Sequence, residues 1–268
     1  MSLSALVAAL IALSHSVSQP AVDTRWDANA PVIIAAEDQA LTFARSGSRL
    51  IRVTGHHGDH IEGMDLSAAL EEQHDLLAIY RRLGYEELAA VTGPAISLSL
   101  SELGTVIDSR HPHIAAGTNY REHAEEVYLD DPPFLFPKLA RASHWQAEVA
   151  FYPRLDFEAE LALVPLADIR TADEEVPFGL VLCNDFTDRW TLIREIDLGA
   201  PMGTTGFAAA KGFSSFLPTG YLFVIPRSPE FYRNIELELA VNGTARQRFR
   251  SEDMILKPGD IVREAFRQ

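Results

Sequence analysis

Cysteine is nearly absent from this chain of 268 residues, with Cys183 its one example. A single thiol excludes an intramolecular disulfide and any zinc centre built on several cysteines. Positive charge is also scarce: 23 Lys and Arg stand against 38 Asp and Glu, a net charge of −15. Such a surface repels phosphate backbones, which argues against a nucleic-acid partner. No apolar run is long enough to span a bilayer as a helix, so no membrane partner is expected. The nearest candidate, residues 2–18, has an apolar core over 5–13 but no Lys or Arg ahead of it. Secretory signals normally open with basic residues. The stretch therefore reads as an ordinary N-terminal helix of a cytoplasmic protein, with a signal segment as the alternative. Also missing are the βαβ rhythm of a parallel sheet, a glycine-rich phosphate loop after a strand, and any repeat.

What is present suits one large domain, or a large domain with a small one: 47% of residues are hydrophobic and 23% charged. Short β-like runs cover 31–35 and 49–53, followed by TGHHGDHIEG with His56, His57, Asp59 and His60. Those histidines are potential metal ligands, but the segment reads as a glycine-rich polar loop. Residues 65–82 read as a helix that Asp65 caps, with Leu66, Leu70, Leu77 and Tyr80 at helical spacing and Gly84 ending it. Further strand candidates are 96–100 and 106–107. Beyond them β-runs over 148–152, 157–164, 178–185, 221–225 and 235–241 alternate with Gly/Pro turns. The expected division is an N-terminal region, 1–105, and a mostly antiparallel or mixed β-domain with a few helices, 106–268.

The stretch with most chemical content is YPRLDFEAELALVP, residues 152–165. Asp156, Glu158 and Glu160 alternate with apolar residues, which on a strand places three carboxylates on one face. Like charges this close need bulk water or a positive partner. Hard divalent cations prefer oxygen ligands, and a solvated strand face is the plainer alternative.

Five segments in order, GTNYREHAEE (117–126), FLFPK (134–138), DFEAELALV (156–164), CNDFTDRW (183–190) and KGFSSFLPTG (211–220), resemble the fumarylacetoacetate hydrolase family. A sixth, LELAVNGTARQ (237–247), is similar to its late hairpin. The resemblance implies an α+β fold, a mixed β-sandwich roll with a smaller N-terminal α/β region. It implies cleavage of a carbon–carbon bond in an acylpyruvate or related 1,3-diketo acid, helped by Mg2+ or Mn2+. The alternatives are a 2-oxo acid decarboxylase, a hydratase or isomerase, or an inactive scaffold relic. By the same resemblance Glu158, Glu160 and Asp185 are the metal ligands, leaving Asp156 outside the coordination sphere. His123, backed by Glu126, activates a water, and Lys211 stabilises an enolate. Arg121 and Lys138 are candidates for the substrate carboxylate, and Thr219 and Gly220 for a substrate loop. A homodimer is implied as well.

Departures from the pattern are Trp190, where relatives carry an acidic residue after the arginine, and Asp188, where a small residue is usual. Relatives also continue into further strands that line the pocket, whereas here the sequence stops at Gln268. The IVREAF segment that follows Lys257-Pro258-Gly259-Asp260 reads as a helix, since Ile261, Val262, Ala265 and Phe266 share a face. On that reading the sheet has an open edge that another segment or subunit must cover.

Overall fold

The computed structural model of the chain describes residues 34–36, 38–71, 75–107, 113–120, 133–197 and 204–267. In chain order the strands are β1 (Ala40–Ser46), β2 (Arg49–His57), β3 (His60–Asp65), β4 (Ala95–Ser99), β5 (His113–Gly117), β6 (Phe134–Lys138), β7 (Leu155–Asp156), β8 (Ala159–Pro165), β9 (Phe178–Asn184), β10 (Thr187–Asp188), β11 (Thr219–Pro226), β12 (Glu236–Val241) and β13 (Thr244–Arg250). The helices are α1 (Leu76–Ala90), α2 (Arg189–Glu195), α3 (Thr204–Lys211) and α4 (Pro258–Arg267). A seven-stranded antiparallel sheet in the order β4-β3-β2-β1-β11-β9-β8 forms the body. Three two-stranded ribbons, β10-β7, β12-β13 and β5-β6, accompany it. This is an α+β fold.

Alternation along the strands builds two cores. Leu41 and Phe43 of β1 pack with Leu50, Val181, Phe223 and Ile225 and with Leu76, Ile79 and Leu88 of α1. Ala44, Ile51, Val53, Ile61 and Leu98 form a second cluster. Gly179 of β9 carries no side chain because an added Cβ would run into the Phe223 ring. The N-terminal strands thus share one sheet with β8, β9 and β11, and this sheet ends beside the candidate site.

Several elements differ from the sequence reading. The helix begins at Asp75, whose side chain accepts from Leu77 and Ala78 N–H at 3.0 and 3.3 Å. Asp65 instead caps the turn that follows β3, accepting from Ser67 N–H at 3.0 Å. Gly84, at φ 70°, kinks the helix without ending it. The histidine segment is a hairpin: β2 runs through His57, β3 starts at His60, and the turn contains Gly58 at φ +60°. Residues 106–107 and 148–152 form no strand, and neither do the described residues 34–35 of the first run. The acidic run is broken as well, because Phe157 and Glu158 leave the ladder between β7 and β8. Residues 258–267 are helical, as the IVREAF periodicity predicts.

β8 is an edge strand. Gln247 of β13 covers its start, accepting from Ala159 N–H at 2.8 Å and donating to the Ala159 carbonyl at 3.4 Å. A side-chain amide therefore stands in for one residue of a neighbouring strand.

Candidate active site

The candidate centre forms where β9 ends. Asn184 and Asp185 grip the backbone of Glu158: Asn184 Oδ1 accepts from its N–H at 3.2 Å, and Asp185 N–H donates to its carbonyl at 2.8 Å. This replaces the ladder bonds that a continuous strand would have made. Glu160, on β8, pairs with Cys183 of β9. Three carboxylates are thus delivered to one region by β8, β9 and the link before β8.

Two lysines converge on them. Lys211 is the last residue of α3 and only 2% exposed. Its Nζ donates to Glu158 Oε2 at 2.8 Å and to Asp185 Oδ2 at 2.6 Å. Burial alone would lower its pKa, but Asp185 and Glu158 outweigh that, and the ammonium is held above its ordinary value. Gly212 lets the chain leave α3 directly after this lysine, since an added Cβ would run into the Ala208 carbonyl oxygen.

Lys138, at the end of β6 and also 2% exposed, donates to the carbonyls of Phe186 at 3.0 Å and Phe216 at 2.9 Å. It also forms an ion pair with Asp185 Oδ1. Its pKa is lowered, with burial the main cause and Asp185 opposing it. An ammonium has three donors, and here each has a protein acceptor. Lys138 is therefore placed to hold Asp185.

Arg189 opens α2 and joins the same network. Nε donates to Asp156 Oδ2 at 2.8 Å and Nη2 to Glu158 Oε1 at 3.1 Å. Burial works against its charge, yet Glu158 and Asp156 hold its pKa above the ordinary guanidinium value. Asp188, the residue that departs from the pattern, caps α2. It accepts from Trp190 N–H at 3.2 Å, Thr191 N–H at 3.3 Å and the Thr191 hydroxyl at 2.6 Å. Trp190 points outward, 51% exposed.

Glu160 stands apart. Its pKa is pushed up to about 8, first by burial and then by Glu158 and Asp185. Crowded carboxylates of this kind match a hard cation, which would relieve the repulsion and favour the charged form. Glu158 and Asp185 are partnered by ammonium and guanidinium groups, and among the described residues no group of three His, Cys, Asp or Glu is gathered as a metal cluster. The donor chemistry fits a divalent ion; the side chains shown are turned to lysine and arginine.

Of the remaining expected residues, Arg121, His123 and Glu126 lie outside the described residues. Thr219 starts β11 with both donors used, its hydroxyl by Leu217 O at 3.2 Å and its N–H by Ser143 O at 3.0 Å. Gly220 lies close under Leu182, whose carbonyl oxygen would be 3.3 Å from an added Cβ. The network role of Arg189 and Asp156 was not read from the sequence. Its available signal was an arginine just after the Asn184-Asp185 pair, with one acidic residue too many in the alternating run.

Residues 112–267 match the family description "Fumarylacetoacetate (FAA) hydrolase C-terminal". The chain belongs to the fumarylacetoacetate hydrolase family. Among its curated relatives, a 2,4-didehydro-3-deoxy-L-rhamnonate hydrolase from Sphingomonas sp. (strain SKA58) is 27% identical over 70% of this chain and 68% of that protein. A maleylpyruvate hydrolase from Sphingobium sp. SYK-6, solved with manganese(II) and pyruvate, superposes with a TM-score of 0.57 at 21% identity, covering 84% of this chain and 82% of the other. A 5-carboxymethyl-2-hydroxymuconate delta-isomerase from Mycobacterium smegmatis gives 0.52 at 21% identity, with 84% and 80% covered. The family fold expected from the sequence is therefore the fold observed. No helix among the described residues is long and apolar enough to cross a membrane.

Proposed function

We propose that this protein is an enzyme acting on a small 2-oxo or 1,3-diketo acid by enolate chemistry, as in isomerisation, hydration or decarboxylation. The observation that carries this reading is Lys211, buried and charged between Glu158 and Asp185, with two of its three donors used among the described residues. A divalent ion, Mg2+ or Mn2+, held by Glu158, Glu160 and Asp185, would supply Lewis-acid stabilisation of an enolate. Lys211 Nζ would donate to the oxygen on which negative charge develops, in a buried setting where such a bond is strong. Lys138 would fix Asp185 against rotation. In a decarboxylation, electrons of the breaking carbon–carbon bond pass into the enolate, which later takes a proton on carbon. In an isomerisation, a proton leaves one carbon and another returns at a different one.

Cleavage of an acylpyruvate is the second reading, favoured by likeness to the rhamnonate-derived hydrolase. It adds a water attack on the distal carbonyl, with His123 as general base and Glu126 orienting it. The carbon–carbon bond electrons then enter the same enolate.

Turnover of oxaloacetate, a 2-hydroxy-dienoate and an acylpyruvate, each with Mn2+ and with EDTA, tests both. Activity on either of the first two that His123→Ala leaves intact supports the main reading. Acylpyruvate cleavage lost in the same variant supports the second. A folded protein that binds Mn2+ and turns over none of the three overturns both.

A further inference from the structure

Glu158 and Glu160 are fixed in different ways. Glu160 belongs to β8, so strand register sets its direction. Glu158 lies between strands, and its carboxylate needs an outside hold. Arg189 provides one. Its side chain is 8% exposed, and its guanidinium divides its donors between Asp156 Oδ2 and Glu158 Oε1. The backbone beneath is pinned too: Arg189 N–H donates to Arg154 O at 3.0 Å, and β10 pairs with β7 at Thr187↔Asp156 and Asp188↔Leu155.

We propose that Arg189, anchored by Asp156, is a positioning residue for Glu158: it holds Oε1 so that Oε2 faces Lys211 and Asp185. This assigns the extra acidic residue of the 156–160 run a purpose, as the counter-charge that keeps Arg189 aimed. A guanidinium suits the task because its planar fork reaches two carboxylates at fixed angles, which an ammonium cannot do. The inference rests on the metal-assisted reading for its consequence but not for its geometry.

The sign of one effect separates positioning from charge. Removing a cation beside a metal site should by electrostatics alone tighten the binding of Mn2+. If Arg189 positions Glu158, its removal loosens binding, by roughly the ten- to hundredfold typical of groups that orient metal ligands. Calorimetric titration with Mn2+ is made on the full chain, on Arg189→Lys, and on the double variant Asp156→Asn/Arg189→Met. The double variant removes both charges of the pair and so leaves no unpaired aspartate to unfold it. Weaker binding in both variants is expected. Unchanged or tighter binding in the double variant overturns the proposal. Crystal structures of metal-free wild type and of both variants give the second readout. Glu158 Oε2 should leave its 2.8 Å contact with Lys211 when Arg189 is replaced. An undisturbed contact overturns the proposal even if wild type fails to bind Mn2+, whereas that failure alone sinks only the ion reading.

Discussion

Lys138 and Lys211 are the same residue type at equal burial, yet their surroundings move them in opposite directions. Lys211 faces two carboxylates and uses two of its three donors among the described residues. Lys138 faces one and is otherwise tied to two main-chain carbonyls. Replacing Lys138 by Met strips a buried aspartate of one of its two lysine partners, Lys211 keeping the other, and leaves two carbonyls without their donor. Losing one partner of a buried pair costs about 3–5 kcal/mol. Lys138→Met should therefore lower the stability found by urea unfolding by about that amount. A Lys138→Arg variant should recover only part of it, since a flat guanidinium fits the three-acceptor pocket poorly. A loss under about 1 kcal/mol would show that the lysine matters less to Asp185 than its contacts suggest.

Elements, more than residues, show what the sequence did and did not disclose. The apolar runs that give β2, β9 and β11 are readable because each strand buries its apolar set against a core, whereas β1, over Ala40–Ser46, is absent from the sequence reading. The acidic run alternates, but its strand breaks at 157–158. Asp185 N–H and the Asn184 side chain capture the Glu158 backbone there, and such a tertiary capture has no local signature. The first helix starts later than its periodicity predicts for a related reason. Leu66 and Leu70 do lie one turn apart and do enter the main core, but in a single turn ahead of the helix proper. The lysines and Asp185 could be named from motif resemblance, whereas the arginine between two carboxylates could not, because its partners meet only through β7–β10 pairing. At this scale α3 gives a test. Gly212→Ala must push against the Ala208 carbonyl at the end of that helix, at a cost of about 1–3 kcal/mol for overpacking. It should also displace Lys211 from Glu158 and Asp185, which thermal melting and a crystal structure of the variant would reveal.

On the scale of the molecule, the segment that begins the family's first motif is fastened to residues far along the chain. Asn119 Nδ2 donates to Leu256 O at 3.1 Å, Leu256 N–H donates to Asn119 Oδ1 at 2.6 Å, and Ile255 N–H donates to Asn119 O at 2.7 Å. Tyr120 bridges to Met254 and packs its ring 4.7 Å from Phe249. Asn119→Ala deletes both side-chain bonds and leaves the half-buried Leu256 amide and carbonyl without these partners. Each orphaned group costs about 1–3 kcal/mol. Amide exchange should quicken at 254–256 more than in the seven-stranded sheet, and equal protection in wild type and variant would refute the link.

Residues 137 positions apart in sequence are thus stitched like a hem, and a hem fails from its loose end. A protease that clips near Lys257 would unpick the motif at 117–120 while leaving the main sheet whole. The protein would keep its outline in a scattering curve while residues 117–120 lost their anchor, so an intact outline is no warrant of an intact segment.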